Sequence, residues 1–123
     1  MSSQTNDQII RDFCDAWGAG DVAAIVGAFA DDAVYHNIPM EPIEGKDAIA
    51  AVISAFLTGN RIVFETLRQV ASGNVVMNER IDHLSLGDGP VIALPVMGTF
   101  ELAGGKITAW RDYFDLATFT GAG

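Results

Sequence analysis

Three stretches of the sequence carry side chains that could exchange protons with a substrate. Arg80 and Asp82 lie two residues apart in a segment that alternates apolar and polar side chains. Asp112 lies between Trp110 and Phe114 at the same spacing in a later segment. Residues two apart on an extended strand share a face, so Asp112 shares its face with both aromatics. A carboxylate in such an apolar wall is costly unless it has a partner or a chemical task.

A shared guanidinium would give the two aspartates different protonation states. The planar fork of Arg80 can bind Asp82 and Asp112 at once, and two carboxylates in one apolar pocket do not both stay ionised at low cost. One is then an acid and the other a base, so water can attack a substrate while its leaving oxygen receives a proton. This chemistry suits strained ethers, in particular the hydrolysis of an epoxide to a vicinal diol. Tyr35 and Asn37 project together from an earlier extended stretch and could hold the water.

The first half of the chain predicts the helices that support this site. Apolar residues recur there at helical spacing, and polar capping residues precede them. The predicted elements are a helix with apolar residues from Ile10 to Trp17, a helix capped by Asp21 with an apolar stripe from Val22 to Phe29, an extended stretch from Ala33 to Ile38, and a helix with apolar residues from Ile49 to Leu57.

From Asn60 onward the hydrophobic period changes to two, which is typical of strands. The predicted strands, separated by short Gly-rich segments, are Arg61 to Val70, Val75 to Leu86, Val91 to Leu102 and Lys106 to Phe119. Helices followed by an antiparallel meander indicate an α+β fold. The 123 residues show no repeat or linker, so we expect one domain over residues 1–123.

The alternation along the strands predicts which faces meet, and a loop assumption predicts the register. If the loop of each hairpin has an odd number of residues, the even-numbered residues of the last three strands face the same side and form one inward surface. A three-residue loop at Ala103 to Gly105 would place Val96 opposite Asp112 and Gly98 opposite Trp110. A loop from Gly87 to Val91 would place Asp82 opposite Val96. On this register the two aspartates lie in one row.

Composition excludes several other classes of function. Sixteen acidic and seven basic residues give a formal charge of -9, which repels nucleic acid and anionic membrane surfaces. No apolar run is long enough to span a membrane and the polar start shows no signal peptide, so we expect a cytoplasmic protein. The only cysteine, Cys14, is predicted to be core, and His36 and His83 lack zinc-site spacing. We expect neither a metal nor a cofactor.

Three motifs in this order resemble the limonene-1,2-epoxide hydrolase family, a branch of the NTF2-like and SnoaL-like group. They are Tyr35-x-Asn37, the segment from Glu79 to Asp82, and the segment from Gly105 to Asp115. The resemblance implies a cone in which three N-terminal helices pack on a curved, mostly antiparallel mixed sheet that encloses an apolar pocket. It also implies a homodimer that needs no cofactor and acts on small cyclic or terpene epoxides.

The same resemblance implies a role for each candidate side chain. Asp112 would be the base that activates water, Asp82 the acid that protonates the epoxide oxygen, and Arg80 the bridge between them. Tyr35 and Asn37 would position the water. The expected pocket wall consists of Leu84, Leu94, Val96, Trp110 and Phe114.

Other interpretations of these residues stay open at this stage. Arg80 and Asp82 could be an exposed strand pair, and Asp112 could be a structural carboxylate. A ketosteroid-isomerase-like or SnoaL-like isomerase or cyclase would use one carboxylate as a base and an oxyanion donor, without the arginine bridge. A non-catalytic module that binds a small ligand would need only the apolar pocket.

Overall fold

The computed structural model describes residues 5–120, and the polar start at residues 1–4 lies outside this range. Within it the chain forms four helices and six strands. Their bounds are α1 Asn6–Ala19, α2 Val22–Gly27, β1 Phe29–Asn37, β2 Ile43–Glu44, α3 Lys46–Leu57, β3 Asn60–Ser72, β4 Val75–Leu86, β5 Val91–Ala103, β6 Lys106–Tyr113 and α4 Leu116–Thr120. None of the helices in this range is long and apolar enough to cross a membrane.

Side-chain caps explain where the first two helices begin. The Thr5 hydroxyl accepts a hydrogen bond from the Gln8 amide at the start of α1, and the Asp21 carboxylate accepts one from the Ala24 amide at the start of α2. Helix α1 ends at Gly20, whose φ of 67° is available to glycine without strain. The buried face of α1 consists of Ile10, Phe13, Cys14 and Trp17, as the sequence predicts.

The strands form one open mixed sheet in the order β2-β1-β6-β5-β4-β3. All neighbouring pairs are antiparallel except β1 and β6, which run parallel. Helix α1 packs mainly on β3, and α3 packs on β1 and β3. The expected α+β fold, with three N-terminal helices on a mostly antiparallel mixed sheet, is confirmed.

Strand parity is confirmed, but the predicted register is wrong by two residues in both hairpins. Asp82 pairs with Leu94 rather than Val96, and Asp112 pairs with Gly98 rather than Val96. The β5–β6 connection is a two-residue turn in which Gly104 and Gly105 have φ of 56° and 79°, angles that suit a tight hairpin. The pairing then shifts between Glu101 and Leu102, and this bulge returns the even-numbered residues of β6, Trp110 and Asp112, to the inward face. Alternation determines the face of a residue but not the length of a turn, which is why the prediction failed here.

Several element boundaries also differ from the predictions. Helix α2 ends at Gly27, and Phe29 begins β1, where it pairs with Ile107. Strand β6 ends at Tyr113 instead of continuing to Phe119. The short helix α4 follows because the Asp115 carboxylate accepts a hydrogen bond from the Ala117 amide, which favours a helical start over a longer strand.

Candidate active site

The guanidinium of Arg80 lies fully buried on the inner face of β4. Burying a cation is costly unless acceptors surround it. Each of its five N–H groups has an acceptor. Nε and Nη2 donate to Oδ1 and Oδ2 of Asp82, at 3.0 and 2.9 Å, and Nη1 and Nη2 donate to Oδ1 and Oδ2 of Asp112, at 3.2 and 2.8 Å. The second N–H of Nη1 donates to Oδ1 of Asn78 at 2.9 Å. Arg80 therefore binds both aspartates in forked geometry, as strand parity predicts.

Gly98 makes this bridge possible. Asp82 and Arg80 are on β4 and Asp112 is on β6, so the guanidinium must pass the inner face of β5. A methyl group at Gly98 would overlap Nη1 of Arg80 and would lie 2.8 Å from Asp112 Oδ1. We expected Gly98 to make room for the indole of Trp110. The two-residue change in register instead places it opposite Asp112, where its missing side chain makes room for the guanidinium.

Asp112 is held by a third N–H donor. The indole Nε1 of Trp110 donates to its Oδ1 at 2.7 Å. Trp110 is fully buried and stacks between Tyr35, at a ring distance of 4.2 Å, and Phe100, at 5.3 Å. It therefore lies behind the pocket wall rather than in it, which corrects the expectation for this residue. The carboxylate of Asp112 thus accepts from three N–H groups, two of Arg80 and one of Trp110.

Burial acts differently on the second carboxyl group. It raises the pKa of Asp82 to about 6, although the hydrogen bonds and the charge of Arg80 oppose this shift. Burial alone would lower the pKa of Arg80, but Asp112 and Asp82 outweigh it and raise that pKa, so the guanidinium stays charged. Burial and the nearby Asp112 also raise the pKa of Tyr35, whose hydroxyl therefore stays protonated. The two aspartates thus differ in surroundings: Asp82 holds a proton readily, whereas Asp112 faces three donors.

Strand β1 brings Tyr35 and Asn37 beside Asp112. Because β1 runs parallel to β6, Tyr35 aligns with Trp110 and Asn37 aligns with Asp112. The Tyr35 hydroxyl donates to Oδ1 of Asn37 at 3.4 Å. The structure therefore gathers all five predicted polar residues around one point.

Four of these five side chains line a cavity of about 200 Å³ between the sheet, α1, α3 and α4. Its polar members are Tyr35, Asn37, Asp82 and Asp112. Of the expected wall residues, Leu84, Leu94, Val96 and Phe114 line it. A second depression of about 640 Å³, near the ends of α1 and α3, contains none of the five predicted polar residues.

Three parts of the site were missed or left unassigned by the sequence analysis. The ring of Phe64 lies 4.4 Å from Cζ of Arg80, close enough for a cation–π contact. Asn78 completes the donors of Arg80, and its even position on β4 was a signal that it faces inward. Phe56 of α3 and Phe119 of α4 also line the cavity. Helix periodicity shows only that Phe56 faces the interior, and Phe119 was predicted at the end of a strand, which gave no signal for its place in the cavity.

The two histidines and the cysteine lie outside the lining of this cavity. His83 contacts Glu65 and His36 contacts the backbone carbonyl of Met40. Cys14 is core as predicted, and burial raises the pKa of its thiol to about 12. None of these three side chains lines the cavity, and Cys14 remains a neutral thiol at neutral pH.

Comparison with known proteins identifies the family. Residues 4–122 match the model of the limonene-1,2-epoxide hydrolase catalytic domain. The epoxide hydrolase EphG of Mycobacterium tuberculosis is 34% identical over 110 residues, which cover 87% of this chain and 71% of EphG. The chain belongs to the limonene-1,2-epoxide hydrolase family.

Solved structures agree with membership of the limonene-1,2-epoxide hydrolase family. The LEH-like epoxide hydrolase of M. tuberculosis has a TM-score of 0.86 at 29% identity, with 95% of this chain and 87% of that chain covered. An NTF2-like protein of unknown function from Burkholderia pseudomallei K96243 has a TM-score of 0.85 at 18% identity, with 97% and 98% covered. The epoxide hydrolase/cyclase-like enzyme SalBIII has a TM-score of 0.83 at 20% identity, with 92% of each chain covered. The last two comparisons show the fold alone, and the likeness to the NTF2-like Burkholderia protein confirms the expected fold.

The contact at Gly98 generates a first prediction. Gly98→Ala should lower the free energy of unfolding by about 1–3 kcal/mol, because the added methyl overlaps the buried guanidinium of Arg80. Thermal or urea unfolding would measure the change. The control is Gly27→Ala, because a Cβ at Gly27 meets nothing within 4 Å. A Gly98→Ala variant as stable as the wild type would contradict the close approach of the Arg80 guanidinium to Gly98.

Proposed function

We propose that this protein is a cofactor-independent epoxide hydrolase that converts small cyclic or terpene epoxides to vicinal diols. The observation that carries the proposal is the buried Arg80 that binds Asp82 and Asp112 in forked geometry at the edge of an apolar cavity. Membership of the limonene-1,2-epoxide hydrolase family supports the same reaction class.

In the proposed mechanism, attack and protonation occur in one step. Tyr35 and Asn37 hold a water molecule, and the Asp112 carboxylate takes one of its protons as the water oxygen bonds to an epoxide carbon. The C–O bond at that carbon breaks, and its electron pair stays on the epoxide oxygen, which receives the proton of Asp82. The diol leaves with Asp112 protonated and Asp82 ionised. Solvent entering the cavity then returns the proton from Asp112 to Asp82.

Arg80 does not transfer a proton in this scheme. Its raised pKa keeps it cationic, so it stabilises whichever aspartate is ionised at each stage. The charge moves from Asp112 to Asp82 during the reaction, while both stay bound to the same guanidinium. Water supplies the new C–O bond, the two aspartates exchange the protons and no oxidation state changes, so this scheme uses no cofactor.

The cavity supports a small and mostly hydrocarbon substrate. Its volume of about 200 Å³ is below the roughly 300–1,000 Å³ of pockets for drug-sized ligands. Aromatic and aliphatic side chains form most of its surface, and neither Lys nor Arg is among its described lining residues. An anionic substrate would meet two aspartates with no basic side chain exposed to it, so we propose a neutral epoxide.

The main test is diol formation from a panel of terpene, cyclic and aryl epoxides. Asp112→Asn should reduce kcat/KM on the order of a hundredfold or more, because the base is lost while the shape is kept. Asp82→Asn should show a loss of similar size, because the acid is lost. Glu79→Gln is the control, since Glu79 is next to Arg80 in sequence but pairs with Arg68 at the surface.

Three outcomes would refute this function. They are no diol from any epoxide with the wild type, full activity of Asp112→Asn, and label from the water found in the protein instead of the diol. For the last, a single turnover in ¹⁸O-labelled water should place the label in the diol, whereas a covalent ester would leave label in the protein. Isomerisation or cyclisation products in place of diol would favour the alternative enzyme classes.

The pH dependence is a further prediction. Asp82 must carry a proton to act as the acid, and its pKa is raised to about 6. The value of kcat/KM should therefore be highest below this pH and fall as pH rises through it, with an apparent pKa near 6 for the coupled pair. Steady-state kinetics in buffers of constant ionic strength would measure it. An activity that does not fall between about pH 5 and about pH 8 would contradict the assignment of Asp82.

We also propose that the protein is a homodimer joined through the outer face of the sheet. Odd-numbered apolar side chains are exposed there: Met77 is 46%, Met97 49% and Tyr113 50% exposed. Met97 and Tyr113 are direct partners across β5 and β6, so they form a continuous patch. Exposed apolar patches of this kind are typical of protein interfaces.

A charge in this patch should separate the two copies. Met97→Asp should reduce the molar mass measured by light scattering to that of one chain, because a carboxylate would be buried without a partner. Ala23→Asp, at an exposed position of α2, should leave the mass unchanged. A wild type with the mass of a single chain, or a Met97→Asp variant with the mass of two, would refute this interface.

A further inference from the structure

A chain of polar side chains leads from Arg80 away from the cavity. Nη1 of Arg80 donates to Oδ1 of Asn78 at 2.9 Å, and Nδ2 of Asn78 donates to Oε1 of Gln69 at 3.1 Å. Nε2 of Gln69 then donates to Oδ1 of Asp7 at 2.8 Å and to the Asp7 backbone carbonyl at 3.0 Å. The chain thus connects the centre of the candidate active site with the first turn of α1. The proposed mechanism uses neither amide.

A bulge in β3 brings Gln69 into this chain. Inward residues of β3 are even-numbered up to Thr66, and the pairing with β4 shifts between Thr66 and Arg68. Beyond the shift Gln69 is the direct partner of Asn78, whose side chain faces inward. Without the extra residue, Gln69 would point to the outer face. The bulge therefore turns a polar side chain inward at a cost that its hydrogen bonds must offset.

The two ends of the chain determine the orientation of both amides. Arg80 has only donors, so Asn78 must present its oxygen to it. The carboxylate and carbonyl of Asp7 have only acceptors, so Gln69 must present its nitrogen to them. Each amide then has its other group free for its neighbour, and Asn78 donates to Gln69. Every link has one possible direction, and a flip of either amide would place two donors or two acceptors together.

Asp7 is suited to anchor this chain. Its other carboxylate oxygen accepts from Nε of Arg11 at 3.1 Å. The hydrogen bond from Gln69, followed by that from Arg11, lowers the pKa of Asp7, so it stays an acceptor at neutral pH. The chain therefore begins at a stable anion on α1 and ends at the buried cation on β4.

We propose that Asn78 and Gln69 are positioning residues, an orienting relay that holds the guanidinium plane of Arg80 where it serves both aspartates at once. The inference rests on the proposed hydrolase function. Four of the five N–H groups of Arg80 bind Asp82 and Asp112, which exchange protons in the proposed mechanism. The fifth binds Asn78, which takes no part in proton transfer, so this is the hydrogen bond that ties the guanidinium plane to an unchanging group. Gln69 acts through Asn78, because its hydrogen bond keeps the amide oxygen of Asn78 turned toward Arg80.

The test uses Gln69→Met, which keeps the length of the side chain and removes its three hydrogen bonds, one from Asn78 and two to Asp7. Gln69 is only partly buried, so the variant should fold. We expect kcat to fall on the order of tenfold while KM stays within about twofold, because the cavity wall is unchanged and the bridge is less well aligned. Gln8→Met is the control: it removes an exposed hydrogen bond of α1, from Gln8 to Asp12, without touching the relay.

A compensating pair of variants tests the direction of the relay. In Gln69→Glu the new carboxylate can still accept from Asn78 but faces the acceptors of Asp7, so kcat should fall as in Gln69→Met. In the double variant with Asp7→Asn, the new amide of residue 7 can donate to the new carboxylate, and kcat should recover most of the loss. Asp7→Asn alone should change kcat little, because its oxygen can still accept from Gln69.

A measurement without substrate separates this inference from the proposed function. Nuclear magnetic resonance of ¹⁵N-labelled protein should show separate, slowly exchanging Nη protons for Arg80 in the wild type, because all five N–H groups are bound. These signals should broaden in Gln69→Met and persist in Gln8→Met. Unchanged Arg80 signals together with unchanged kcat in Gln69→Met would overturn the relay. A wild type that makes no diol but shows the signal change would instead refute only the hydrolase.

Discussion

The fully buried guanidinium of Arg80 is the constraint on which the rest of the structure depends. A cation removed from water costs several kcal/mol after relaxation, and only close acceptors offset that cost. Strands β4 and β6 supply these acceptors. Asp7 of α1 binds Gln69 of β3, and Gln69 binds Asn78, so α1 also supports this centre. The ring of Phe64 covers one face of the same group. Secondary structure on both sides of β5 is therefore arranged around one side chain.

Charge balance links the stability of this centre to its reactivity. One cation facing two carboxylates carries an excess negative charge if both are ionised, and a low-dielectric pocket disfavours that excess. A proton on Asp82 removes it. In the proposed mechanism the same proton is the one that the opening epoxide ring receives. Below the raised pKa of Asp82, about 6, the protonation state that removes the excess charge is therefore also the state that the proposed reaction requires.

The sequence predicted which faces meet and which residues carry charge there, because alternation on a strand is a property of neighbouring residues. Arg80, Asp82 and Asp112 were found in this way. It did not predict the register, because turn length and bulges depend on the paired strand and on glycine conformations such as that of Gly104. For the same reason the inward turn of Gln69 could not be predicted: it follows from a bulge that single-strand periodicity does not show. Helix α4 was missed because five residues after a strand carry little periodic signal.

Gly98 has a consequence for how this scaffold can change. Asp82 and Asp112, the proposed acid and base, belong to strands that are not adjacent, and they are joined across β5 at the one inward position where β5 has no side chain. The side chains of Leu94 and Val96, two other inward residues of β5, line the cavity and carry no polar atom. In the proposed mechanism, substrate shape and proton chemistry therefore depend on different residues of the same strand. Substitutions at Leu94 or Val96 would then reshape the cavity while the space for Arg80 at Gly98 stays open.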